Sequence, residues 1–157
     1  MKLLFVCLGN ICRSPAAEAI ALKQAKELGI KNIQIDSAAT GNHTAGMPPD
    51  SRMVRHASQR GYTLNSVARP VTYNDFETAD IIVAMDDSNY NTLKAMAPSL
   101  NAAEKVVKMI SYCKKDRGYD YIPDPYYGGA NGFELVLDLL EDGILNLLNK
   151  IGQAPKP

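Results

Sequence analysis

Short apolar runs alternate with longer segments of mixed polarity along this chain, and the two carry different periods. Leu3 to Val6 is a compact apolar run that predicts a first strand over Lys2 to Val6. From about Pro15 to Leu28, Ala17, Ile20, Ala21 and Leu28 fall on one helical face, Glu18, Lys23, Lys26 and Glu27 face away, and Gly29 ends the helix. Ile33-Gln34-Ile35 alternates briefly, as a strand at a sheet edge does. A polar loop, Ser37 to Met47, precedes a helix predicted from about Pro49 to Arg60 and stopped by Gly61. Thr72 or Asn74 is placed to cap a short turn at Asp75-Phe76. Ile81-Ile82-Val83-Ala84 is continuously apolar, the pattern of a parallel strand covered on both faces. Asp86 or Asp87 opens a helix through about Met96 that Pro98 ends, and Val106-Val107 anchors a fourth strand. Ser111 to Ala130 is long, irregular and rich in Tyr, Gly, Pro and Asp; loops of that length in a compact chain are often functional. Phe133, Val136, Leu137, Leu140, Ile144, Leu147, Leu148 and Ile151 then recur at helical spacing and predict a long helix against the core.

Strands alternating with helices predict an α/β fold, a parallel sheet with helices on both faces. At 157 residues the chain is sized for one domain. Its 46% apolar and 22% charged composition is that of an ordinary globular protein. Lys+Arg and Asp+Glu balance at 17 each, which argues against a general nucleic-acid binder. The apolar run Leu3 to Leu8 is too short for a signal-peptide core or a membrane span, so membrane insertion is not expected. The three cysteines form no Cys-x2-Cys pair, so neither a metal site nor a disulfide framework is expected; a reducing, cytoplasmic setting is.

The candidate chemistry lies where the first strand ends. Cys7-Leu8-Gly9-Asn10-Ile11-Cys12-Arg13-Ser14-Pro15 places a thiol at the strand end, an arginine six residues on, and a proline fit to open a helix. Successive backbone N–H groups from Leu8 to Arg13, leading into a helix N-terminus, suit a phosphate dianion. Gly9 and Asn10 tolerate the tight turn this needs, and Arg13 adds a planar fork of donors. A thiol is a nucleophile only as thiolate, a form favoured at a helix N-terminus beside an arginine. The Ser14 hydroxyl is placed to donate to that sulfur. One loop could thus bind an oxyanion, hold the nucleophile and stabilise transition-state charge.

This stretch resembles the signature of the low-molecular-weight protein tyrosine phosphatases. Asp36-Ser37-Ala38, Pro49-Asp50, Met85-Asp86-Asp87-Ser88-Asn89 and Asp124-Pro125-Tyr126-Tyr127 extend the resemblance over nearly the whole chain. It implies a three-layer sandwich with strand order 2-1-3-4 over residues 1–152 and a frayed tail at 153–157. It implies metal-independent hydrolysis of phosphotyrosine and aryl phosphates through a phosphocysteine, with Cys7, Arg13 and Asp124 catalytic and no cofactor. The phosphate-binding loop is Leu8 to Ser14; Asn10, Ser14 and Ser37 support it. Ile11, His43, Tyr126 and Tyr127 wall the pocket. Relatives acting on phosphoarginine tend to carry Thr where this chain has Ile11. Cys12 is implied as a reversible disulfide partner for Cys7, and Cys113 reads as structural. The implied partner is a phosphotyrosine-containing protein, a tyrosine kinase of polysaccharide export among the candidates, met by a monomer.

Three positions depart from the family pattern. Ser66 stands where a histidine often completes the network around Asn10 and Ser37, His43 replaces a rim aromatic, and Arg69-Pro70 replaces Arg-Gln. His56 reads as a solvated surface histidine. Two other functions fit parts of the pattern. An arsenate reductase on the same scaffold needs further relay cysteines, and only Cys113 lies in the later half. A non-catalytic oxyanion-binding module would keep Arg13 and the Gly-Asn turn but has little use for Cys7 and Asp124 together.

Overall fold

The computed structural model describes residues 1–126 and 128–153. Four parallel strands, β1 (Lys2–Cys7), β2 (Gln34–Ala39), β3 (Ile81–Ala84) and β4 (Val106–Lys108), form one sheet in the order β2-β1-β3-β4. The order and sense match the expectation. The described helices are α1 (Arg13–Glu27), α2 (Ser51–Gln59), α3 (Tyr73–Thr78), α4 (Asp87–Met96), α5 (Leu100–Glu104) and α6 (Ala130–Gly152), with a 3-10 turn at Met109–Tyr112.

The period of two in β1 divides the core. Leu3 and Phe5 join Val83, Ile20, Met53 and the apolar stripe of α6 on one face. Leu4 and Val6 join Ile82, Ala84, Phe76, Leu93 and Ala102 on the other. A strand buried on both faces has no polar phase, which is why Leu3 to Val6 reads as an unbroken run. Cys7 is the last residue of this central strand, so it emerges at the carboxyl edge of the sheet, where open parallel sheets bind ligands.

Helix α6 lies against α1, with Val136, Leu137, Leu140, Ile144 and Leu148 fully buried. Gly143 sits where the 3-10 turn crosses it. A Cβ there would come within 2.8 Å of Met109 Cε and 3.0 Å of Cys113 Sγ, so this mid-helix glycine is a close-approach residue.

Several boundaries differ from those the pattern predicts. Helix α1 starts two residues earlier, at Arg13, so Pro15 occupies its third position, still free of an intrahelical N–H obligation. Its buried face runs through Ala16, Ala17, Ile20, Ala21 and Ala25, while Leu28 is exposed at the C-cap. Glu18, expected to face away, is half-buried toward β2. Strand β2 continues past Ile35 through Asp36 and Ser37 because those polar groups bond within the fold. Asp86, rather than Asp87, caps α4, accepting from the Asn89 N–H. Thr72 caps α3 through a reciprocal box with Asp75. Helix α5 went unpredicted; five residues are too few to establish a period.

Candidate functional site

The loop from Cys7 into α1 is built around Asn10. Its φ is +55°, a conformation asparagine adopts more readily than most residues. Its backbone N–H donates to Cys7 Sγ at 3.3 Å. Its side chain is fully buried and wholly used: Nδ2 donates to Ser14 Oγ (2.8 Å) and Ser37 Oγ (3.0 Å), and Oδ1 accepts from the Arg69 N–H (3.2 Å). Ser14 Oγ lies 3.1 Å from Cys7 Sγ and 3.5 Å from the Ala38 carbonyl. Because Asn10 already donates to Ser14, the serine keeps its own proton for the nearer acceptor, the sulfur. Ser37 in turn donates to Glu18, whose carboxyl is pushed up by burial and pulled back in part by that bond.

Two members of this network, and the counter-ion of Arg13, lay outside the sequence reading. Glu18 looked like a surface residue of α1. The Arg69 N–H is a backbone group, and its side chain pairs with Asp36 and Asp75. Asp86 looked like a helix cap alone. The Ser66 hydroxyl takes no part: Oγ is buried without a partner among the described residues, beside a small cavity also lined by Glu18. The vacated histidine position is thus bypassed, and Glu18 and the Arg69 backbone close the network. Pro70 is accommodated because flanking groups make the strand-like bonds, Ala39 N–H to Arg69 carbonyl and Val71 N–H to Ala39 carbonyl, both 2.8 Å.

Arg13 is 2% exposed and anchored from the far side of the loop. Its Nη1 donates to Asp86 Oδ2 (2.7 Å) and to the Ile122 carbonyl (2.9 Å). Nη2 lies 3.7 Å from Asp124 Oδ2. Burial works against the guanidinium charge, but Cys7, Asp86 and Asp124 outweigh it and raise its proton affinity. Asp124 is 40% exposed at the rim and accepts the Tyr126 N–H on Oδ1. The fork is therefore fixed on one edge, leaving its other N–H groups to the cleft.

That cleft, about 290 Å³, is lined by Cys7, Ile11, Cys12, Arg13, His43, Asp124 and Tyr126, all expected from sequence, with Leu8 and Gly9. Thr44 and Met47 also line it and were not expected; Thr44 donates to the Gly9 carbonyl and holds the far wall against the loop. At the rim, a Cβ on Gly41 would lie 2.9 Å from the His43 ring, so this glycine lets the imidazole fold close to the backbone. Tyr127 lies outside the described residues, as do residues 154–157 of the expected tail. Cys7 and Cys12 are both free thiols; burial, then Asp50 and Cys7, pushes the Cys12 thiol far up. Cys113 is held against α6, its Sγ donating to the Leu139 carbonyl at 3.3 Å, and burial pushes its thiol up to about 11. His56 is more than a surface group: it stacks on Phe133 and pairs with Glu134 at 2.6 Å. Among the described residues no cluster of His, Cys, Asp and Glu could hold a metal, and no helix is long and apolar enough to cross a membrane.

Residues 2–156 match the model of the low molecular weight phosphotyrosine protein phosphatases. A Gallus gallus protein of that name is 40% identical over 138 residues, 87% of each chain. A protein tyrosine phosphatase structure from Entamoeba histolytica, with Hepes in its active site, superposes with a TM-score of 0.94 at 44% identity, covering 98% of this chain and 97% of that one. The YwlE arginine phosphatase of Bacillus subtilis, solved as a cysteine-to-serine mutant with a phosphorylated active-site serine, is 25% identical with a TM-score of 0.84, over 98% and 97% of the two chains.

Proposed function

The chain belongs to the low molecular weight phosphotyrosine protein phosphatase family, and on that premise we propose that it hydrolyses phosphotyrosine in proteins, and aryl phosphates, through a phosphocysteine formed on Cys7. The observation that carries this reading is one cleft holding a thiol met by two donors, a buried guanidinium, and a carboxyl group at the rim.

Cys7 attacks phosphorus as thiolate. The Asn10 N–H and Ser14 hydroxyl both donate to that sulfur and hold it at the floor of the loop. Arg13 and the loop N–H groups hold the equatorial oxygens, where charge develops. The P–O bond to the aryl group breaks, and Asp124 gives its proton to the departing oxygen. Asp124, now a carboxylate, takes a proton from water as that water attacks the phosphocysteine, releasing inorganic phosphate and the Cys7 thiolate. Asp86 and the Ile122 carbonyl orient Arg13 from behind. Asn10, Ser14 and Ser37 hold the loop in shape.

Ile11 and Tyr126 supply the apolar and aromatic walls a phenyl ring needs, with Tyr127 as the further expected wall. The arginine phosphatase neighbour, with phosphate on the serine that replaces its cysteine, supports a covalent step at this position. Ile11, rather than Thr, favours tyrosyl over arginyl substrates. On this reading the chain works in the cytoplasm as a monomer, needs no metal or cofactor, and takes a phosphotyrosine-containing protein, such as a tyrosine kinase of polysaccharide export. Residues 1–152 are the phosphatase domain. The arsenate reductase reading finds no support among the related proteins, and the site of Cys113 against α6 does not favour it.

The test is phosphate release from an aryl phosphate and from phosphotyrosine, phosphoserine and phosphoarginine peptides, with EDTA and reductant present. The aryl and tyrosyl substrates should turn over, and Cys7→Ser should abolish turnover while keeping phosphate affinity. Near wild-type turnover in Cys7→Ser would sink the mechanism, and tight phosphate binding without turnover would support the binding module.

A further inference from the structure

The N-terminus of α2 touches both halves of the site. On one side the Asp50 N–H donates to the Ile11 carbonyl of the phosphate loop at 2.8 Å. On the other, Arg52 reaches the loop that carries Asp124. Its Nη2 donates to the Tyr126 carbonyl at 2.9 Å, and its guanidinium lies 5.4 Å from the Tyr126 ring and 4.9 Å from the Phe133 ring. Asp50 locks that side chain: Oδ1 accepts from Arg52 Nε (3.1 Å) and Oδ2 from Nη2 (2.9 Å), a bidentate pair with a fixed plane. The Asp50 side chain is 10% exposed, and hydrogen bonds from Arg52 hold its carboxyl below the usual aspartate range. Arg52 does not itself line the cleft.

Arg52 reaches the acid loop from outside it. Ile122 is fixed through both backbone groups, to Met85 and to Arg13. Beyond it, Tyr126 N–H to Asp124 Oδ1 and Gly128 N–H to the Pro125 carbonyl are bonds within the loop. They shape the turn without setting where it stands relative to Cys7. The Arg13–Asp124 contact, at 3.7 Å, is long and partly solvated. The Arg52 bond to Tyr126 joins that turn to a helix whose own start is bonded to the phosphate loop.

We propose that Arg52, oriented by Asp50, is a positioning residue that holds the Asp124–Tyr126 turn over the phosphate loop and so sets the general acid's distance from the leaving oxygen. This rests on Asp124 as the general acid. Loss of the clamp hurts the steps that need a delivered proton and spares those that need only the phosphate loop. A leaving group that departs as a stable anion hides the defect; a poor one exposes it.

The experiment compares Arg52→Gln, Arg52→Lys, Asp124→Asn and the Arg52→Gln/Asp124→Asn pair on aryl phosphates of rising leaving-group pKa, with inorganic phosphate as competitive inhibitor. Arg52→Gln should lower kcat/KM, which reports the step that breaks the P–O bond to the aryl group, by about tenfold on phenyl phosphate and by less than about twofold on a nitrophenyl ester, with the phosphate inhibition constant unchanged. Arg52→Lys should restore part of the loss, since it keeps the charge but not the fork. With Asp124→Asn already present, Arg52→Gln should add nothing on the poor substrate. A uniform loss across the series, or additivity with Asp124→Asn, overturns the clamp. If Asp124→Asn itself shows no dependence on the leaving group, the general-acid reading fails, and this inference with it. Circular dichroism and thermal melting separate either result from misfolding, and Asp50→Asn, which loosens the fork while keeping Arg52, should move the series in the same direction by less.

Discussion

Replacing Asn10 isolates what the loop costs the fold. Asn10→Ala removes three side-chain hydrogen bonds, to Ser14, to Ser37 and from the Arg69 N–H, all at a fully buried position. At a net ~1 kcal/mol each, they account for about 3 kcal/mol. Alanine must also adopt the φ of +55° that asparagine tolerates, adding about 1 kcal/mol. The expected loss is about 4 kcal/mol, a large share of the 5–15 kcal/mol that holds a domain together. Asn10→Gly loses the same bonds but suits the left-handed backbone, so it should lie about 1 kcal/mol above the alanine variant. Urea unfolding followed by circular dichroism gives both numbers, with an unchanged slope confirming that midpoint shifts report stability. A loss under about 1 kcal/mol for Asn10→Ala, or a glycine variant no better than alanine, would refute the account of this residue. Turnover should fall in both variants, because the Ser14 hydroxyl loses the donor that frees its proton for Cys7.

Asp86→Ala strips the 2.7 Å partner from a buried Arg13 and the cap from α4; it should cost about 3 kcal/mol or more in urea unfolding, and added phosphate, a replacement counter-charge, should recover part of it. Asp124→Asn should lower kcat on phenyl phosphate by about 10²-fold or more while leaving phosphate inhibition unchanged, measured by steady-state kinetics. Asp75 is subject to burial that raises its pKa, but bonds from Arg69 and Thr72 prevail and leave it depressed. Its stabilisation is therefore present above the ordinary aspartate pKa and is lost as pH falls through the lower folded value, so Asp75→Asn should flatten the acid side of the melting-temperature profile.

Much of this molecule was legible in one dimension because the relevant physics is local. The continuous apolar phase of Leu3 to Val6 and Ile81 to Ala84 identifies strands covered on both faces, and the α6 stripe identifies its core side. The spacing from Cys7 to Arg13 fits a strand, a turn and a helix start, because backbone geometry joins those residues without help from the rest of the chain.

Tertiary structure decided which distant groups complete the loop. Glu18 carries a surface signature in its helix, and only the approach of β2 turns it toward Ser37. Asp86 is both the cap of α4 and the counter-ion of Arg13, 73 positions away, and sequence displays only the first role. Arg69 contributes a backbone N–H, which no side-chain pattern encodes. The sequence analysis assigned Arg52 no role, and its reach to Tyr126 exists only once α2 and the acid loop stand side by side. Short-range chemistry thus set the nucleophile and its loop, and long-range packing chose the partners that orient it. A hydrogen bond across dozens of residues leaves no period in the chain that makes it.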